Sequence, residues 1–150
     1  MSRHRGEQEA TVRDSGFTLL ELVVALAIAA IVAAFALPAY RGQIARGHRT
    51  DAITALYRAA QFADTAAPDA NTLPAGLDQS PSSGVAVYRL SLSQGDETNG
   101  GYVIEARPTE PGPMRDDACG TFRLDATGTR TNVPPGDASA PTLGECWRDR

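Results

Sequence analysis

The sequence predicts an α+β fold. One long N-terminal helix, apolar in its first half and amphipathic in its second, packs on a small antiparallel sheet of about three to four strands, and a disulfide closes the C-terminal loop. Three observations carry this prediction: an unbroken apolar run near the N-terminus, a change of hydrophobic period from 3.6 to 2 near residue 85, and a pair of cysteines that bracket the last segment.

The apolar run spans residues 17–37, where only Thr18 and Glu21 are polar. A helix of that length reaches roughly 31 Å, enough to cross the hydrocarbon layer of a bilayer. Glu21 is the anomaly, because an acidic side chain at mid-membrane costs about 2.5–3.5 kcal/mol. No soluble-core account explains a carboxylate there. If the chain were cut between Gly16 and Phe17, Glu21 would fall in the first helical turn, where the helix dipole favours an anion. It would also lie one turn from the new amine of Phe17.

Beyond Leu37, Pro38 removes a backbone hydrogen bond and is expected to kink or loosen the helix. The helix then resumes to about Asp64. Ile44, His48, Ala52, Ile53, Leu56, Tyr57, Ala60 and Ala63 recur at three- and four-residue steps, with Arg41, Arg46, Arg49, Asp51 and Arg58 on the other side. Residues 66–84 have loop composition, with Pro68, Pro74 and Pro81 among Ser, Asn and Asp. Alternation then places Tyr88, Leu90 and Leu92 on one face of a strand over 85–93. Over 102–107, Tyr102, Ile104 and Ala106 oppose Val103, Glu105 and Arg107, and over 121–126 Phe122, Leu124 and Ala126 oppose Arg123 and Asp125. Asp96–Gly101, with Asn99-Gly100 its strongest cue, is the hairpin turn between the first two strands. Residues 132–144 are rich in Pro and Gly and would be floppy unless Cys146 pins them to Cys119. With a membrane-targeting segment in front, a disulfide is the natural reading of that pair. The expected organisation is a processed leader (1–16), an apolar helix (17–37), its amphipathic continuation (38–65), a connecting loop (66–84) and a β head (85–150).

Composition narrows the function. The formal net charge is −4, and removing residues 1–16 takes away three Arg and three acidic residues, leaving it unchanged. That argues against a nucleic-acid binder of the broad basic-patch kind, leaves a local Arg patch open, and gives no indication of nucleic acid as a partner. No catalytic constellation emerges, no cofactor is implied, and no metal site is expected. Asp116 and Asp117, as neighbours on an extended chain, would point to opposite faces and read as a solvated turn. Asp96-Glu97 reads as a polar hairpin tip. His48 with Asp51 and Asp64 lacks the i, i+4 pair of strong ligands and reads as a partly buried helix residue. Trp147 is expected to pack in the core of a small head. The protein is expected not to be an enzyme.

Gly16-Phe17-Thr18-Leu19-Leu20-Glu21-Leu22 resembles, at every position, the class III signal of type IV pilins and pseudopilins. Pro38 and Tyr40 fall where many pilins carry a helix-kinking Pro and a Tyr. At the other end, Asp116/Asp117-Ala118-Cys119-Gly120-Thr121, Leu124-Asp125, Thr127-Gly128-Thr129 and Cys146-Trp147 look like the C-terminal part of PilE-type minor pilins. The resemblance implies the type IV pilin fold, cleavage between Gly16 and Phe17 by a prepilin peptidase, and methylation of the Phe17 amine. It assigns assembly to Phe17, Glu21 and Pro38, with Glu21 attracting the amine of a neighbouring subunit. Small residues from Ala25 to Ala36 would let helices approach closely in a filament core.

The implied partners are other pilin subunits, the peptidase, the inner-membrane assembly platform, and membrane lipid before assembly. The protein is then expected in the bacterial inner membrane, single-pass with its head periplasmic, and afterwards in an extracellular pilus. Roles in adhesion, twitching motility or DNA uptake fit such a subunit. The alternatives are a type II secretion pseudopilin, or a membrane-anchored periplasmic binding domain that keeps its N-terminus uncut. A translation start at Val12 would shorten the leader.

Overall fold

The computed structural model describes residues 16–66, 70–139 and 141–147. Most of the leader, including Val12, lies outside the described residues. The chain divides into two compact units, Met1–Ala39 and Tyr40–Arg150, and helix α1 (Leu19–Thr65) contains their boundary.

In the first unit the chain is non-helical through Thr18, and α1 begins at Leu19. Thr18 is the N-cap: its Oγ1 accepts the Glu21 amide at 3.2 Å, and its carbonyl accepts the Leu22 amide at 3.1 Å. Thr18 and Glu21 stand at the spacing of a capping box, which explains why two polar residues begin an apolar helix. Every residue from Gly16 to Ala39 is exposed. The helix assignment continues through Pro38, which lies inside α1.

In the second unit, α1 buries Ala52, Ala55, Leu56 and Ala59, with Ala45, Ile53, Ala60 and Ala63 partly buried beside them. The buried stripe is therefore rotated from the expected one, since Ile44 and Tyr57 are exposed. Alanine is the physical reason: it weighs little in a hydropathy pattern but lets the helix lie close on a sheet. Arg49 also belongs to the packed side rather than the solvent side.

Five antiparallel strands in sequential order form the sheet: β1 (Gln79–Ser80), β2 (Tyr88–Gln94), β3 (Tyr102–Pro108), β4 (Thr121–Asp125) and β5 (Arg130–Val133). The three central strands are those the alternation predicts. Tyr88, Leu90, Leu92, Ile104, Ala106, Phe122 and Leu124 point inward and form one core with the helix alanines, Met114, the cystine and Trp147. The hairpin turn needs left-handed backbone at Gly100 (φ 78°) and Gly101 (φ 104°), which accounts for the Gly pair there.

The sheet has five strands where the sequence predicts three to four, and neither edge strand shows an apolar alternation. β1 is two residues long, too short for any alternation. β5 carries Arg130 and Asn132 on its inner positions, in register with Leu124 and Phe122, so it has no apolar period. Its inner face is satisfied by polar contacts instead. Asn132 Nδ2 donates to the Cys119 carbonyl at 2.9 Å, the Trp147 indole N–H donates to Asn132 Oδ1 at 2.6 Å, and the Arg130 guanidinium lies 5.8 Å from the Trp147 ring centre.

Cys119 and Cys146 are bonded, which ties the short helix α2 (Leu143–Trp147) to the start of β4. Thr142 and Glu145 cap α2, with the Thr142 amide and hydroxyl both donating to the Glu145 carboxylate. Trp147 is buried edge-on against Phe122, 5.3 Å between ring centres, and Phe122 in turn meets Tyr88 at 6.0 Å. Gly120 allows this closure: its φ is 57°, and a Cβ there would lie 2.0 Å from the Val133 carbonyl oxygen.

Tyr102 fastens the end of α1 to β3, donating its hydroxyl to Asp64 Oδ1 at 2.7 Å. Partial burial pushes its phenol up to about 12, helped by the hydrogen bond to Asp64 and by the charges of Asp64 and Asp125. A raised phenol binds its proton more tightly in the folded state. The stabilisation is therefore complete below the ordinary value of 10.0 and is lost as pH rises through about 12. Alkaline difference absorbance should show one tyrosine ionising near pH 12, and Tyr102→Phe should remove that step.

Candidate functional site

Two surfaces stand out. The first is the apolar half of α1, one helix long and apolar enough to cross a membrane, with none of that stretch buried by the chain itself. Gly16 and Phe17 precede the helix, and the Phe17 side chain is 84% exposed. Glu21 sits in the first turn, exposed, and Pro38 lies within the helix. The expected cleavage and assembly residues thus share one surface. Among the described residues no element covers that surface, and meeting lipid or other helices would take it out of water.

The second surface is the outer face of the sheet. Inward-facing apolar residues force their neighbours outward, and the register then decides which of these polar residues meet. Arg89 on β2 stands opposite Arg107 on β3, and Glu105 stands opposite both Ser91 and Arg123 on β4. Three guanidiniums from three strands therefore share one face. Directly opposed like charges cost stability in a sheet, and here each guanidinium has an acid beside it, Glu105 at 3.2 Å from Arg107 and Asp78 at 3.8 Å from Arg89. Beside it runs a groove of about 990 Å3, lined by Arg89, Arg107, Arg115, Glu110 and the prolines of the 108–111 and 134–135 segments. This local patch of Arg was legible in principle, because alternation already puts Arg107 and Arg123 opposite the core. What composition hides is their convergence by register.

Of the remaining candidates, His48 is half-buried on the helix and Asp116 is exposed and paired with Arg115 at 2.9 Å. Asp117 does not lie in a solvated turn. Its side chain is 8% exposed and takes both arms of Arg49, Nε to Oδ1 at 3.1 Å and Nη2 to Oδ2 at 2.5 Å, while Oδ1 also accepts the Cys119 amide. The loop bends so that the two aspartates diverge, one outward and one onto the helix. Arg49 and Asp117 lie 68 positions apart, so no local pattern announces the pair. The Tyr88 phenol beside them is pushed up, chiefly by burial and further by the charge of Asp117, with Arg49 opposing.

Two family profiles match this chain, one over the apolar helix and one over most of the head. Residues 12–37 match the profile of the prokaryotic N-terminal methylation motif. Residues 38–123 match the family described as "Type IV minor pilin ComP, DNA uptake sequence receptor". A fimbrial protein of Moraxella nonliquefaciens is 54% identical over 41 residues, 27% of each chain. The type IV major fimbrial protein FimA of Dichelobacter nodosus is 38% identical over 66 residues, 39% of this chain and 41% of FimA. The chain thus spans 27% and 41% of the lengths of these two relatives. The family is one of structural pilins and not of enzymes, and the helix, antiparallel sheet and C-terminal disulfide match the type IV pilin fold. By a match over more than half its length, the chain belongs to the type IV minor pilin ComP family.

Proposed function

We propose that this pilin is a minor subunit of a type IV pilus. It is inserted in the bacterial inner membrane with its head in the periplasm, cut between Gly16 and Phe17 by a prepilin peptidase and methylated on the Phe17 amine. The assembly platform then moves it into the filament through the 17–37 helix. The observation that carries this reading is the wholly uncovered apolar helix, headed by an exposed Gly-Phe step and a capped Glu21. A match of the head to a pilus family favours this over a type II secretion pseudopilin, and the methylation motif favours it over a static membrane anchor. Intact-mass measurement of the chain from its own cells tests it. The expected mass lacks residues 1–16, gains one methyl group and lacks two hydrogens for the cystine. Recovery of a chain that retains Met1–Gly16 overturns the reading.

A second function is supported by the family description and by the arginines of the outer sheet face: the head receives DNA. Guanidiniums spaced along strands suit phosphates, and binding of this kind falls steeply with salt.

A further inference from the structure

Glu105 stands at the centre of the outer face, and its surroundings are unusual for a surface carboxylate. Its side chain is only 15% exposed because two arginines cover it. Arg107, two residues along the same strand, donates Nη2 to Oε2 at 3.2 Å. Arg123, directly opposite on β4, meets Oε1 with Nε at 2.5 Å and with Nη2. Arg89, the third guanidinium, donates Nη1 to Gln79 Oε1 at 3.3 Å and has an open contact with Asp78 at 3.8 Å, and it does not touch Glu105. The other acid of this face, Asp125, is turned into its own loop, where it accepts the amide and hydroxyl of Thr127 and the amide of Thr129. A single carboxylate therefore engages two of the three cations that the face presents.

We infer that Glu105 is a specificity-determining residue of this face, one that holds down its affinity for polyanions in general. A phosphate that approaches Arg107 or Arg123 must displace a carboxylate already seated on the guanidinium and then lie beside its negative charge. A polyanion held only by charge cannot offset that cost. A ligand that fits the groove and brings further contacts can. Built-in repulsion of this kind separates a chosen partner from the mass of similar ones. The inference rests on the reading of this face as a DNA receptor, and the experiment separates the two.

The full chain, purified in a neutral detergent, is titrated with a random-sequence DNA duplex and with heparin over a range of salt. Glu105→Gln keeps the shape and removes the charge. It should tighten binding to both probes by roughly tenfold at low salt and steepen the log–log salt slope by about 1–2, one unit for each guanidinium released. Glu105→Thr, which suits a strand, should act in the same direction, and thermal melts check that both variants fold. Arg107→Ala and Arg123→Ala should weaken binding. If the arginine variants weaken binding while both Glu105 variants leave affinity and slope unchanged, the inference fails and the receptor face stands. If the Glu105 variants bind more weakly, the carboxylate serves to hold the arginines in place, and the inference also fails. If the unaltered chain binds no DNA and the arginine variants change nothing, the receptor reading falls and the inference with it.

Discussion

Replacing Glu21 by Ala is expected to leave cleavage and the head intact and to deplete the subunit strongly from the filament. The helix start should survive, because the capping bond from Thr18 is made to the Glu21 amide and not to its carboxylate. Insertion should survive as well, since removing an acidic side chain from an apolar helix relieves about 2.5–3.5 kcal/mol of membrane cost where it lies deep. What is lost is the one charge that the apolar half of α1 carries. In a water-free setting an uncompensated amine on Phe17 is costly, and a carboxylate brought to it by a neighbouring helix is strongly favoured. The expected result is a variant that is processed normally, accumulates in the inner membrane and is at least about tenfold depleted from sheared pili, a drop that a coupling of about 1.4 kcal/mol already produces. Glu21→Gln, which keeps the polarity and loses the charge, should behave the same way. Quantitative immunoblots of membrane and sheared fractions, with intact mass to confirm processing, check both variants. Incorporation of the Ala variant at the unaltered level would remove Glu21 from assembly.

Much of this molecule is legible because its two halves obey different simple rules. An uninterrupted apolar run needs no partner within the chain to be recognised, and the period of 2 in Tyr88–Leu92, Tyr102–Ala106 and Phe122–Leu124 reports directly on a sheet with one buried face. The misplacements share a cause. Ala55 and Ala59, which the three- and four-residue pattern omits, bury the helix through smallness rather than hydrophobicity, while Ile44 and Tyr57, which it includes, lie outside the stripe. β5 escapes the period because Asn132 and Arg130 are satisfied by Trp147 and the Cys119 carbonyl, contacts made across a fold that local sequence does not encode. The Arg49–Asp117 pair and the arginine face are of the same kind. Each residue looks ordinary until topology chooses its neighbours. For the candidate site the division follows this line: the N-terminal surface is written in consecutive residues, while the outer-face surface is written in strand register.

The C-terminal segment depends on the disulfide more than on its own packing, so the paired replacement Cys119→Ser/Cys146→Ser is expected to have the largest effect on the stability of the head. Opening a loop of 27 residues returns chain entropy to the unfolded state worth about 3.5 kcal/mol. The native side loses as well. α2 is five residues long and cannot hold itself together, and its release would draw Trp147 away from Phe122 and leave the Asn132 amide oxygen without the indole donor. A head of this size has little margin, since small domains are stabilised by only a few kcal/mol without a staple. The variant should therefore melt about 15 °C lower or fail to accumulate, a shift that follows from about 4–8 °C for each kcal/mol in a domain of this size. The helix alanines share a core with the cystine, but the β2–β3 ladder and the Arg49–Asp117 pair are held by hydrogen bonds of their own. Amide exchange should accordingly rise first in β5 and α2 and last in β2 and β3. Uniform exchange across the sheet would mean that the tail is an equal part of the core, and an unchanged melting temperature would mean that the loop is ordered by its own contacts.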